Sequence, residues 1–170
     1  MRPPVPMPSI DRLLSLFELD TDSGYLIHKK KCGTKRGSIA GSITPQGYFR
    51  VKVDGRLYLV HRVIYFMATG KDPGIFEVDH IDGDKGNNKP SNLRLATREQ
   101  NRQNATAYIS NKHNSRGTWF DDRRNAYFCA VQAFGVREQF GPFATLADAS
   151  RVYEREARER FGEFYREQKQ

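Results

Sequence analysis

Cysteine is scarce in this chain: Cys32 and Cys129 are the only two among 170 residues, and they stand far apart. No C-x-x-C pair exists, so no structural zinc is expected, and a reducing cytoplasm is the simplest setting. Long hydrophobic runs are missing too. No stretch approaches the length of a membrane span, and the N-terminus lacks a signal-peptide core, so no membrane partner is expected. Acidic residues are outnumbered, 20 Asp and Glu against 28 Lys and Arg, for a formal charge of +8 and a pI of about 9.6. That balance favours a polyanion, nucleic acid ahead of a membrane surface, since no lysine-rich amphipathic helix stands out. Hydrophobic residues make up 38% and mean hydropathy is −0.72, which suits small modules on a polar partner better than one large core. Four prolines fall within Met1–Pro8, which reads as a flexible lead-in over 1–8.

The densest chemistry lies in Glu77–Asn104, EVDHIDGDKGNNKPSNLRLATREQNRQN. Asp79 and His80 adjoin, flanked by Val78 and Ile81 as in a short strand. Asn92 follows His80 by twelve residues, and Asn101 comes nine further on. Asp82 to Pro90 is a polar loop with turn chemistry throughout. Asn92–Ala96 alternates polar and apolar, as a returning strand would. Thr97 with Gln100 forms a capping-box pattern, predicting a helix from Arg98 that carries Asn101 and packs back over the first strand. A carboxylate facing an amide oxygen offers hard ligands for Mg²⁺ or Mn²⁺, with most of an octahedral shell left for water and a phosphate. Imidazole ordinarily titrates at about 6.5, so a histidine beside such a ligand can take a proton from water near neutrality. Base, metal and phosphate site together are the means of phosphodiester hydrolysis. Asp82 and Asp84 do not make an EF-hand: the spacing is wrong and no bidentate Glu follows.

This stretch resembles the HNH nuclease motif in its His-Asn-Asn form, found in phage homing endonucleases, over the run VDHIDGD…NNKPSNLRLATREQNRQN. The resemblance implies a ββα-metal fold. It makes His80 the general base, Asp79 and Asn101 the ligands of Mg²⁺ (or Mn²⁺), and Asn92 the central catalytic-motif asparagine that braces the loop. It also implies cleavage to 5′-phosphate and 3′-hydroxyl ends in the cytoplasm of a bacterial host. One site cuts one strand per engagement, so a monomer or weak dimer is expected.

The flanking chain reads as scaffold. Ile10–Phe17 has apolar residues at 10, 13, 14 and 17, a short amphipathic helix. Asp22-Ser23-Gly24 turns into a strand, and Lys29–Lys31 with Lys35 and Arg36 form a basic cluster. Tyr48–Val53 alternates, Asp54-Gly55 turns, and Arg56–Val60 returns: a hairpin with Arg50, Lys52 and Arg56 to offer. His61–Thr69 reads as a short buried helix ending at Gly70, and His61 is given no catalytic role. Arg94, Arg98 and Arg102 are the cations nearest the motif, the last two one helical turn apart.

Ala105–Ser115 is small and polar and reads as a linker, and His113 within it as incidental. After it, Gly117–Phe120, Ala126–Ala133 and Val136–Phe140 read as three strands. Thr145 with Asp148 opens a helix whose apolar residues Leu146, Ala149, Val152, Tyr153, Ala157 and Phe161 recur at threes and fours until Gly162. SRGTWFDDRRNAYFCAV and FGPFATLADASRVYEREARERFGEFY resemble the ethylene-response-factor-type DNA-binding domain, which lays a three-stranded sheet in the major groove. By position, Arg116, Trp119, Arg123 and Arg124 are the implied contacts to double-stranded DNA. The second strand departs from that pattern, with Phe128 and Ala130 outward where relatives are often basic.

The expected class is α+β, in five segments: a flexible 1–8, a β-rich scaffold and DNA-contact region over 9–75, the nuclease motif over 76–108, a linker over 109–115, and the DNA-binding domain over 116–170. Two other readings stay open. One is a non-catalytic sequence-specific DNA-binding protein. The other is an RNA-binding protein that stacks bases on Trp119, Phe120 and Tyr127.

Overall fold

The computed structural model describes residues 5–29, 36–104, 116–133 and 135–165, with backbone alone for 102–104. Two compact units divide the chain, Met1–Arg98 and Glu99–Gln170, each with its own core.

The first unit opens with α1 (Ile10–Leu16), whose first turn is capped by the Ser9 hydroxyl accepting from Arg12 N at 3.2 Å. β1 (Phe17–Asp20) and β2 (Tyr25–His28) pair antiparallel around a turn in which the Asp20 carboxylate accepts from the backbone of Asp22 and Ser23. A three-stranded antiparallel sheet follows: β3 (Ser42–Ile43), β4 (Phe49–Val53) and β5 (Arg56–Leu59). Asp54 and Gly55 both take positive φ between β4 and β5, as a tight hairpin requires. α2 (Val60–Thr69) ends at Gly70 in the left-handed region, its N–H donating to Phe66 O at 2.8 Å. β6 (Glu77–His80) and β7 (Leu93–Ala96) then pair antiparallel, with a 3₁₀ turn over Pro90–Asn92 between them.

Leu13, Phe17, Leu26, Val51, Val53, Val63, Ile64, Val78 and Leu93 bury together, so α2 and the β6–β7 hairpin share one core. Each fully buried Leu or Ile there contributes about 2 kcal/mol of apolar transfer. Three local readings shift. The helix begins at Val60, the return strand begins at Leu93 with Asn92 closing the 3₁₀ turn, and β3 is an addition. β3 has only two residues, too few for an alternation to show.

α3 (Arg98–Asn104) begins where Thr97 predicted, and the boundary between units falls inside it, after Arg98. The linker 109–115 lies outside the described residues, as do Cys32, His113 and most of the Lys29–Arg36 cluster. In the second unit β8 (Thr118–Asp121), β9 (Ala126–Ala133) and β10 (Val136–Phe143) form an antiparallel sheet in the order β10-β9-β8, covered by α4 (Leu146–Phe161). The Thr145 hydroxyl accepts from Asp148 N at 3.1 Å and donates to the Asp148 carboxylate at 2.7 Å, a reciprocal cap. Cys129, Val131 and Ala133 pack on Ala149, Tyr153, Ala157 and Phe161. Gly117 sits so close to Tyr153 that a Cβ there would overlap the ring. Among the described residues no helix is long and apolar enough to cross a membrane.

Candidate active site

In a strand, successive side chains point to opposite faces, so Asp79 and His80 leave β6 on different sides. Their cross-strand partners are Arg94 and Leu93. Both are nearly buried, at 5% relative exposure each, so neighbouring groups rather than bulk water fix their geometry.

Asp79 is held by Arg94. The guanidinium places Nε and Nη2 each 3.0 Å from Asp79 Oδ2. A carboxylate at that depth needs an opposite charge, and Arg94 supplies it. Arg94 was expected among the DNA contacts; its side chain, 13% exposed, is committed to Asp79 instead. The cause is register: Arg94 stands directly opposite Asp79 and shares its face. Arg94→Leu is expected to destabilise the chain by about 3 kcal/mol, through the uncompensated Asp79 charge, read as a lower urea midpoint.

On the other face His80 meets a built surround. Its Nε2 lies 3.0 Å from Asn88 Oδ1, and Asn88 is 1% exposed. The His61 ring on α2 stands edge-on to the His80 ring at 4.9 Å between centroids, and Tyr48 lies 5.5 Å from His61 and 6.2 Å from His80. Lys85 caps Tyr48, its Nζ 4.7 Å from the ring centre and 3.0 Å from Gln46 O. His61 is 4% exposed, and its Nδ1 finds no hydrogen-bond partner among the described residues. Burial, then the nearby His80 and Arg62 charges, push its pKa down to about 3, so His61 is a neutral neighbour at ordinary pH. Burial likewise raises the Tyr48 phenol, helped by Asp79 and Glu77.

The connecting loop is locked by Asn92. Its amide donates to Asp82 Oδ1 at 2.9 Å and to Asn87 O at 2.8 Å, and its Oδ1 accepts from Asp82 N at 3.1 Å. Burial opposes ionisation of Asp82, but hydrogen bonds from Asn87, Asn92 and Asp84 outweigh it and hold the carboxyl below its usual range. Ahead of β6, Arg62 donates to Gly74 O at 2.9 Å and Phe76 O at 2.7 Å, tying α2 to the strand entry.

Asn101 lies on α3 at intermediate exposure, on the far side of the unit boundary from Asp79. Arg98 is exposed at the start of α3, and the Arg102 side chain lies outside the described residues.

Arg50 and Lys52 are exposed on one face of β4, opposite Leu59 and Leu57 of β5. Arg56 pairs with buried Val53 and belongs to the other face, at the hairpin tip. In the second unit Trp119 stacks on Phe128 with centroids 5.9 Å apart. Arg124 lies 5.3 Å over the Phe128 ring and Arg137 5.8 Å over the Trp119 ring. Arg123 is exposed and Arg116 partly so. Phe120 and Tyr127 pack on each other at 4.8 Å, and Tyr127 also packs against the core under α4, so that ring is engaged inside the unit.

Sequence reasoning missed Asn88, His61, Tyr48 and Arg137. Asn88 reads as one more turn asparagine in a polar loop. His61 and Tyr48 reach His80 only through tertiary packing, across 19 and 32 residues of chain.

An HNH endonuclease family domain matches residues 58–103, spanning α2, both site strands and Asn101. An uncharacterized HNH endonuclease of Acanthamoeba polyphaga mimivirus is 40% identical over 111 residues, 65% of this chain and 56% of that protein. The chain thus spans a little over half the length of that relative. Protein 3.8 of Escherichia phage T7 is 31% identical over 106 residues, 62% of this chain and 87% of that protein. A solved structure titled for DNA binding and cleavage by the HNH homing endonuclease I-HmuI covers 74% of this chain and 71% of its own. It shares 21% identity at a TM-score of 0.41, too distant a likeness to carry a residue role.

Proposed function

Because an HNH endonuclease family domain matches residues 58–103, we propose that the chain hydrolyses phosphodiester bonds of double-stranded DNA at the β6–β7 hairpin. The observation that carries this reading is the divergence of Asp79 and His80 from adjacent positions on one strand, each held from its own side, with Asn92 locking the loop between the strands. A structural role alone has no use for a buried carboxylate and a buried imidazole side by side.

The donor chemistry fits Mg²⁺ (or Mn²⁺). The Asp79 carboxylate is a hard oxygen donor on that face, and in a ββα-metal arrangement the Asn101 amide oxygen is the second ligand. When bound, such an ion supplies charge stabilisation for the phosphate and for the departing oxygen. His80 takes a proton from water: an O–H bond breaks and an N–H bond forms. The oxygen bonds to phosphorus as the bond to the 3′ oxygen breaks, and the departing oxygen takes a proton from a second water, leaving 5′-phosphate and 3′-hydroxyl ends.

Exposed Arg50 and Lys52, with Arg98, supply backbone contacts from the first unit. The sheet face bearing Trp119, Arg124 and Arg137, with Arg116 and Arg123, supplies them from the second. A three-stranded sheet on one helix supports reading that unit as an ethylene-response-factor-type DNA-binding module. On this reading the protein is a homing-type, phage-encoded enzyme acting in the host cytoplasm as a monomer or weak dimer.

The test is incubation with supercoiled plasmid and with phage and host genomic fragments. Relaxed or linear products with ligatable ends are expected in Mg²⁺ and absent in EDTA. No cleavage in either Mg²⁺ or Mn²⁺, with DNA retention undiminished, would replace this reading with a binding-only protein.

A further inference from the structure

Asn88 lies outside the four positions that carry the nuclease motif, yet it is the most buried polar residue of the loop, at 1% exposure. Its orientation is set by what surrounds it. Its Nδ2 donates to Gly86 O at 3.3 Å and its backbone N to the same oxygen at 3.1 Å. With the amide nitrogen so used, the atom facing His80 is the carbonyl oxygen Oδ1, which only accepts. An acceptor 3.0 Å from Nε2 requires the proton on Nε2 in the neutral ring. Asn88 is also fixed from behind. The β1–β2 turn brings Gly24, at φ +74°, against the Asn88–Lys89 peptide, where a Cβ would overlap Lys89 N and lie 2.6 Å from Asn88 C. On the His80 ring itself, His61 packs edge-on.

We propose that Asn88 is the positioning residue of the site, holding His80 as its Nε2–H tautomer and so making Nδ1 the nitrogen that takes the proton from water. The inference rests on His80 being the general base. In the opposite tautomer Nδ1 would carry a hydrogen and could accept nothing, so an equal mixture would halve the competent population before any change in ring orientation. The N-terminal hairpin then has a catalytic consequence: through Gly24 it seats the residue that sets the base.

The first test needs no variant of Asn88. Full-length protein labelled with ¹⁵N in its histidines is examined above neutral pH by two-bond ¹H–¹⁵N correlation, with the His80 signals identified by their loss in His80→Ala. The expected result is a predominantly Nε2–H ring, and a predominantly Nδ1–H ring overturns the proposal. The second test compares Asn88→Leu, which removes the acceptor, with Asn88→Asp, which keeps one. Asn88→Leu is expected to lose the tautomer preference and to lower kcat by roughly 10- to 100-fold, a part of what a general base supplies, with KM for DNA little changed. Asn88→Asp is expected to retain the tautomer and most of kcat. Equal loss in both variants with the tautomer unchanged in each would mean that Asn88 only packs, and overturns the proposal. A chain that cleaves DNA with His80 in the Nδ1–H form sinks this inference alone. A chain that keeps the Nε2–H form yet cleaves nothing sinks the nuclease reading.

Discussion

Replacing His80 by alanine is expected to lower the rate of DNA cleavage, at saturating metal and DNA, by roughly 10²- to 10⁴-fold while leaving duplex retention unchanged. The size is the usual yield of a positioned general base. The separation from binding follows from burial: at 5% exposure His80 offers little surface to a duplex, whereas Arg50, Lys52 and Arg98 are exposed. The alanine variant also leaves Asn88 Oδ1 without its donor and opens a cavity beside His61, so stability falls as well. His80→Gln restores an N–H toward Asn88 but no base near neutrality. It is expected to recover stability and not cleavage, measured as a urea midpoint beside a single-turnover rate.

Acid is expected to weaken the fold through His61. In the folded chain His61 takes a proton only near pH 3, against an ordinary value of 6.5. Between those values the unfolded chain binds a proton that the folded chain refuses, so stability rises with pH across the window. The contribution is intact above about 6.5 and is lost progressively as pH falls toward 3. Loss of up to about 5 kcal/mol follows from a shift of this size. Asp20, Asp54, Asp82 and Glu156, whose carboxyls are also held low, weaken the fold on the acid side as well, but they are common to wild type and His61→Phe. The difference in unfolding free energy between those two proteins, followed in urea from neutral pH downward, is therefore expected to shift against the wild type as acid is added. A difference that stays flat with pH would mean that His61 is protonated in the folded state.

Much of the scaffold was legible because its signals are local. Thr145 and Asp148 announce the start of α4, Gly70 and Gly162 announce helix ends, and alternation in Phe49–Val53 and Ala126–Ala133 gives strands. The opposite facing of Asp79 and His80 follows from strand geometry alone. What was not legible depends on register or on distant packing. Arg94 faces Asp79 because β7 pairs with β6 residue for residue, and a long polar loop leaves that register open in the sequence. Asn88, His61 and Tyr48 converge on His80 from a loop, a helix and a strand end. None carries a periodic or capping signal of its own. Arg137 was passed over because it becomes a surface cation only once β10 lays it across Trp119.

The proposed mechanism divides labour on β6, Asp79 for the metal and His80 for the proton. One measurement separates the two roles: the rate of duplex cleavage as Mg²⁺ is titrated into wild type, Asp79→Asn and His80→Ala. Asp79→Asn is expected to need far more Mg²⁺ to reach its plateau. His80→Ala is expected to saturate at the wild-type concentration but at a plateau lower by orders of magnitude. Superimposable curves for all three proteins, or a metal requirement that moves in His80→Ala and not in Asp79→Asn, would contradict that division.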